Sequence, residues 1–285
     1  MAGIAGASRL AGVAASFEEA LEMGDIAQVL DQIALGEVID EPFDCGFTPL
    51  MSAAASGSAE CCRALIDANA NVNRAGKLGA TPLIIACQHG FVDVAFELLS
   101  LGAAIDQPSN SGATALNIAC QLAQFECVRL LLANGADVNL ATLGGYTPLM
   151  RACMSGHRGC VEALLAQSAA VDVISQDGYT PMRIACVENF PEILAVILEA
   201  GSPPDLECFW EREDGTEGKL VSFEVACANG HSQIVEVLLS AGVSKESVLK
   251  GLKWAQRQRQ AECVRLCEGA LSSTHATHED GFQRL

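Results

Sequence analysis

Basic residues and aromatic rings are scarce in this chain of 285 residues. Two tyrosines, two tryptophans and ten phenylalanines make up 5% of it. That is too few for a β-sandwich stitched by aromatic cross-strand pairs, while the abundant Ala, Leu and Val favour packed helices. Lys and Arg number 17 against 35 Asp and Glu, a formal net charge of −18. Such a field repels phosphate backbones and anionic lipid surfaces, so neither nucleic acid nor membrane is an expected partner, and a basic protein segment is attracted. No run of about 18 apolar residues occurs, so no transmembrane helix is expected. The opening MAGIAGASRLAGVAA lacks the charged start and leucine-rich centre of a secretory signal, though its composition leaves an organelle presequence open. Ala2 stands where N-myristoylation needs glycine. There is no glycine-rich phosphate loop, no G-x-S-x-G and no H-E-x-x-H, and the acids form no recognisable pair, so no enzyme is expected.

What is present is cysteine: thirteen, an odd number, in a chain long and apolar enough to need no covalent staples. A reduced intracellular setting follows, cytoplasmic with the nucleus also open. Charge is uneven. Residues 1–45 hold nine acids against Arg9 alone, whereas residues 245–285 hold seven bases and five acids.

The decisive feature is repetition. TPLMSAAASG (48–57), TPLIIACQHG (81–90), TALNIACQLA (114–123), TPLMRACMSG (147–156) and TPMRIACVEN (180–189) begin 33 residues apart, and VSFEVACANG (221–230) follows after 41. Apolar pairs keep step: Leu65-Ile66, Leu98-Leu99, Leu131-Leu132, Leu164-Leu165, Ile197-Leu198 and Leu238-Leu239. Thr then Pro suits a helix start, because the hydroxyl caps free N–H groups and Pro at the first position loses no bond. Ala53, Ala86, Ala119, Ala152, Ala185 and Ala226 recur where two helices must approach closely. A second helix follows with apolar residues at i, i+3 and i+4. It should end in the left-handed conformation at Asn69, Gly102, Gly135, Ser168, Gly201 and Gly242. One turn–helix–loop–helix unit cannot bury its apolar face alone, so the copies must stack.

These residues resemble the ankyrin-repeat family, whose first helix carries T-P-L-H-x-A. Asn-Gly-Ala-Asp-Val-Asn at 134–139 and Tyr-Thr-Pro-Leu at 146–149 fit closely. The likeness spans about residues 15–270. It implies an all-α solenoid of helix-loop-helix units joined by short β-hairpin-like turns, acting as a non-enzymatic scaffold or adaptor without cofactor. The family's histidine, which ties neighbouring turns by hydrogen bonds, is replaced by Met51, Ile84, Asn117, Met150, Arg183 and Glu224. The expected organisation is a flexible stretch 1–15, a repeat domain 16–271 with a capping helix pair at each end, and a disordered tail 272–285. A turn insertion at 203–220 adds eight residues to one repeat.

Candidate chemistry is weighed against this periodicity. Cys87, Cys120, Cys153, Cys186 and Cys227 all follow the small alanine, and Cys61, Cys127, Cys160 and Cys263 share a place in the second helix. A nucleophile is needed once, so a repeating cysteine reads as a small core hydrophobe. Cys87 and His89 lie about 200° apart around a helix, which points them away from each other. His89, His157 and His231 sit where a loop hydrogen bond is expected. Cys263, Cys267, His275 and His278 form a C-x3-C-x7-H-x2-H pattern, which keeps a zinc-dependent module or regulatory subunit as the alternative function.

The resemblance places partner binding on the concave face of turn tips and first helices. Phe47, Tyr146 and Tyr179 stand at tips, and Ile85, Ile118, Arg151 and Met154 at first-helix positions expected to face outward. The alternative is that some of these isoleucines pack against neighbouring units. Trp210, in the charged insertion, is either a further anchor or folds back over its own turn. Lys250, Lys253, Arg257 and Arg259 make a modest basic face on the last pair, and head-to-tail self-association through the oppositely charged ends is a third reading.

Overall fold

The computed structural model describes the backbone of residues 17–211 and 217–279. Side chains are described for residues 17–206 and 221–272. Within these, eight helix pairs follow one another. The first is a helix over residues 17–23 (α1) with Ile26–Ala34 (α2). Then come Pro49–Ser56 (α3) with Ala59–Asp67 (α4), Pro82–His89 (α5) with Val92–Ser100 (α6), and Ala115–Gln121 (α7) with Phe125–Ala133 (α8). Pro148–Ser155 (α9) with Arg158–Ala166 (α10) and Pro181–Val187 (α11) with Pro191–Glu199 (α12) follow. The last two pairs are Ser222–Asn229 (α13) with Ser232–Ser240 (α14), and Lys245–Arg257 (α15) with Ala261–Glu279 (α16).

The contacts divide into two compact halves, one up to Leu143 and one from Gly144. In the first, α3 packs on α5 and α5 on α7, while α2, α4, α6 and α8 form a parallel series. In the second, α9, α11, α13 and α15 stack in order, backed by α10, α12, α14 and α16. First helix on first helix and second on second is the all-α solenoid that the repeat predicts.

Local chemistry explains why each unit starts and stops where it does. Thr48, Thr81, Thr114, Thr147 and Thr180 each accept from the backbone N–H three residues on, at 3.1–3.4 Å. A cap of this kind contributes about 1 kcal/mol. Val221 takes that place before α13 and supplies no side-chain cap. The expected left-handed ends are all found, with φ running from 61° at Ser168 to 97° at Gly201.

Close packing explains the small residues. Ala53, Ala86, Ala119, Ala152, Ala185 and Ala226 are wholly buried, as are Ala54 after the first and the cysteines after the other five. The second helices contribute triplets such as Cys61-Cys62-Leu65, Val94-Ala95-Leu98 and Cys127-Val128-Leu131. Each buried leucine contributes roughly 1.5–3 kcal/mol.

Successive turns are tied by main-chain bonds. Lys77 N donates to Gly46 O (3.3 Å), Asn110 N to Leu78 O (3.1 Å) and Leu143 N to Ser111 O (2.9 Å) in the first half, and Gln176 N to Gly144 O (3.0 Å) in the second. The insertion forms an antiparallel ribbon, Glu207–Glu211 (β1) with Glu217–Val221 (β2), in which Glu207 pairs with Val221 and Glu211 with Glu217. The last helix, α16, continues past residue 271 to Glu279.

Candidate functional site

The Thr-Pro start fixes the residue before it at the tip of a turn, beside the exposed side of the first helix. In the first half, Phe47 occupies such a tip and is half-buried. A cavity of about 240 Å³ opens beside it, with Met51, Leu78, Ala80, Ile85 and Gln88 among its walls. A second, of about 150 Å³, lies against the same ring and is lined by Glu22, Ser52, Ala55 and Ser56. The turns around the first cavity fit tightly. A Cβ at Gly76 would stand 2.6 Å from Gly46 O and 3.0 Å from Met51 Cε, so only glycine lets these turns approach.

The second half carries an aromatic–cation cluster. The Tyr146 and Tyr179 rings lie 6.5 Å apart between centroids, tilted by 31°. Arg151 places Cζ 4.6 Å from the Tyr146 centroid, and Arg183 places Cζ 4.5 Å from that of Tyr179. Each contact contributes about 0.5–1 kcal/mol where exposed, more when water is excluded. Tyr146 donates its hydroxyl proton to Asp177 Oδ2 at 3.0 Å. Burial, and then the Asp177 carboxylate, push the phenol above its ordinary value, so it stays a neutral donor. Arg183 Nη1 also donates to Gly178 O at 2.8 Å, while Arg151 Nε, shielded from water, meets no acceptor among the described residues. Met154 lies on the same helix as Arg151 and is 43% exposed.

Three stretches, residues 17–109, 75–142 and 139–208, match the family described as Ankyrin repeats (3 copies). Together they cover well over half of the chain. This chain belongs to the ankyrin-repeat family. It is similar to the crystal structure of the human ASB11 ankyrin repeat domain, with 26% identity and a TM-score of 0.65 over 80% of this chain and 98% of that one. No curated protein sequence matches it. Ankyrin repeats are a non-catalytic protein-interaction fold, and this chain is such a module.

As an ankyrin array it departs from the family at the histidine position, and the structure shows what substitutes. Asn117, buried, donates from Nδ2 to Leu140 O (3.1 Å) and accepts from Thr114 N (2.9 Å). Arg183 bonds back to its own turn through Gly178. Met51, Ile84 and Met150 are buried apolar fillers, and the main-chain bonds already described hold the turns together.

One expected outward residue is corrected. Ile85 is only 3% exposed. It forms part of the cavity wall together with Phe47 and Leu78, because an apolar side chain reached by the neighbouring turn gains by leaving water. Ile118 is half-buried, as are Tyr146, Arg151 and Tyr179. The side chain of Trp210 lies outside the described residues.

The zinc alternative fails on geometry. Cys263, Cys267, His275 and His278 share one continuous helix. At about 1.5 Å rise per residue the first and last stand roughly 22 Å apart along it, far beyond what ligands at about 2 Å from one ion allow. Cys267 Sγ instead lies 3.8 Å from Cys227 Sγ in the core, and no metal-holding cluster exists among the described residues.

The repeat cysteines are core residues, shielded from water. Burial raises Cys62 to about 12 and Cys160 to about 11. His157 Nδ1 accepts from Cys160 N at 3.1 Å, which caps α10. His231 Nδ1 donates to Cys186 O at 2.9 Å, joining adjacent repeats.

Sequence reasoning placed Ala80 at a turn tip but missed the cavity walls Leu78 and Met51, and the stacking of Arg183. The available signals were a leucine in a glycine-containing turn and an arginine three residues after a tyrosine-led Thr.

Proposed function

We propose that this protein is a non-enzymatic scaffold or adaptor that holds a protein or peptide partner on its concave face, where turns meet first helices. The observation that carries this reading is that each half has half-buried rings at its turn tips. Phe47 stands over two cavities in one half, and Tyr146 and Tyr179 are stacked by arginines in the other. Rings held in place lose little conformational entropy when a partner covers them, and aromatic and arginine side chains are the usual anchors of interfaces. A preformed array also lowers the ordering cost of binding an extended segment. The charge of −18 favours a partner with a basic segment. The proposed setting is the cytoplasm or nucleus, where thirteen cysteines stay reduced.

Affinity capture with mass spectrometry tests this reading. Wild type is compared with Phe47→Ala, with the pair Tyr146→Ala and Tyr179→Ala, and with Phe96→Ala, an exposed second-helix ring. Partners should be lost from a turn-tip variant and kept by Phe96→Ala. Partners retained by every folded turn-tip variant would refute the proposal.

A further inference from the structure

We propose that the two cavities flanking Phe47 bind a protein segment carrying a large apolar side chain with a lysine or arginine close to it in sequence. This rests on the partner-binding role proposed above for the turn and first-helix face, and names the chemistry of one site on it. The larger cavity, about 240 Å³, is lined chiefly by apolar groups. Met51 and Ile85 in its walls are almost fully shielded, at 1% and 3% exposure. A dry apolar cavity of roughly 150 Å³ already takes up benzene, so this one accommodates the side chain of a leucine, methionine or phenylalanine. Leu78, 80% exposed, projects at the rim. It offers apolar surface that nothing in the described chain covers and that an inserted side chain would.

Charge selects what accompanies that anchor. From Phe17 to Asp44 the chain has nine acids and no Lys or Arg. Two of these acids reach the site. Glu22 lines the smaller cavity, and Glu18 Oε1 accepts from the thiol of Cys45, a wall residue of the larger one, at 3.2 Å. Among the described residues the one cation lining either cavity is Lys77, at the larger one, where its ammonium is turned to Asp44 O at 3.2 Å, and the smaller cavity beside Glu22 has none. A basic side chain entering the smaller cavity beside Phe47 therefore meets the Glu22 carboxylate, with Glu18 behind the Cys45 wall adding to the same negative field, and an acidic one meets repulsion there. The smaller cavity adds the hydroxyls of Ser52 and Ser56 as acceptors for the ammonium or guanidinium.

Cys45 supplies a local reporter, since it is the exposed cysteine among those described and lines the larger cavity. The probes are acetylated, amidated octapeptide pools with Leu and Arg fixed one to four positions apart, plus matched pools with Arg replaced by Glu or Leu by Ser. Binding to the full chain is read by fluorescence anisotropy at low salt, and protection of Cys45 from N-ethylmaleimide by peptide-mapped mass spectrometry. The Leu/Arg pool is expected to bind at least tenfold more tightly than either control and to slow Cys45 labelling at least fivefold. Glu18→Lys with Glu22→Lys should reverse the Arg/Glu preference. Leu78→Ala, a change at an exposed side chain, should weaken the Leu/Arg pool severalfold without moving the unfolding midpoint.

Absence of Cys45 protection by any pool, or equal binding of the Arg and Glu pools, would overturn the site. Peptide binding lost in the Tyr146→Ala, Tyr179→Ala variant but unchanged in the Glu and Leu78 variants overturns this site while leaving the wider face intact. Binding unaffected by all of these substitutions overturns both.

Discussion

Arg183 lies with its guanidinium carbon 4.5 Å over the centre of the Tyr179 ring, four residues before it in sequence, and donates from Nη1 to the carbonyl of Gly178, the residue preceding that tyrosine, at 2.8 Å. The residue at the family's histidine position thus holds its own turn and one ring of the binding face at once. Arg183→Ala removes both contacts and is expected to destabilise the second half by about 1–2 kcal/mol. Arg183→Lys, which loses the planar fork that both stacks and bonds, should recover less than half of that. Urea unfolding followed by hydrogen exchange over residues 175–200 checks both. Unaltered exchange in the alanine variant would show that the stack holds nothing.

The left-handed ends of the second helices give a prediction of opposite sign. Ser168 adopts φ 61° where Gly102 and Gly135 serve in other repeats, and it is exposed. A side chain in that conformation costs about 1 kcal/mol, so Ser168→Gly is expected to raise stability by about 0.5–1 kcal/mol. Gly79 shows the reverse case. At φ +74°, a Cβ there would stand 2.5 Å from Asn110 N, whereas at Gly102 it would meet nothing within 4 Å. Gly79→Ala should therefore lower the denaturation midpoint by clearly more than Gly102→Ala does.

The buried thiols predict a pH limit and a labelling pattern. Cys62 titrates at about 12 and Cys160 at about 11 in the folded chain, against an ordinary value of 9.0, both chiefly because burial disfavours the thiolate. The folded state binds these protons more tightly than the unfolded one. Their contribution is fully present below about pH 9 and is lost as pH rises through 11 and then 12. Cys62→Ala with Cys160→Ala should flatten the fall in stability above pH 9. In native protein at pH 8, a thiol reagent should modify Cys45 and spare the buried cysteines until denaturant is added. Rapid native labelling of Cys62 or Cys153 would contradict the packing.

Much of the fold was legible because it rests on local, repeating chemistry. The threonine caps, the left-handed ends and the small alanines each sit at one offset of a 33-residue period and the core cysteines at two, and each is found as read. What was not legible depends on how far one unit reaches over the next. Ile85 has the spacing of an outward residue, yet Phe47 and Leu78, from two different turns, share a cavity wall with it. The cavities are gaps between residues distant in sequence, and no pattern along the chain records a gap. The zinc spacing, kept only as an alternative, carried no weight for a related reason. Cysteine and histidine offsets say nothing about whether the chain between them turns back or, as α16 does to Glu279, runs straight on. Arg183 was visible as a departure from the family, but its place over Tyr179 required the turn to be built.

The central claim is that partners are held where turns meet first helices. The most direct measurement places a photo-crosslinking benzoylphenylalanine at Phe47 in one protein and at Phe96, on the exposed side of α6, in another, followed by irradiation in cells. The account predicts a discrete crosslinked partner from position 47, competed by the Leu/Arg peptide pool, and none from position 96. A partner captured from position 96 but not from 47 would contradict it.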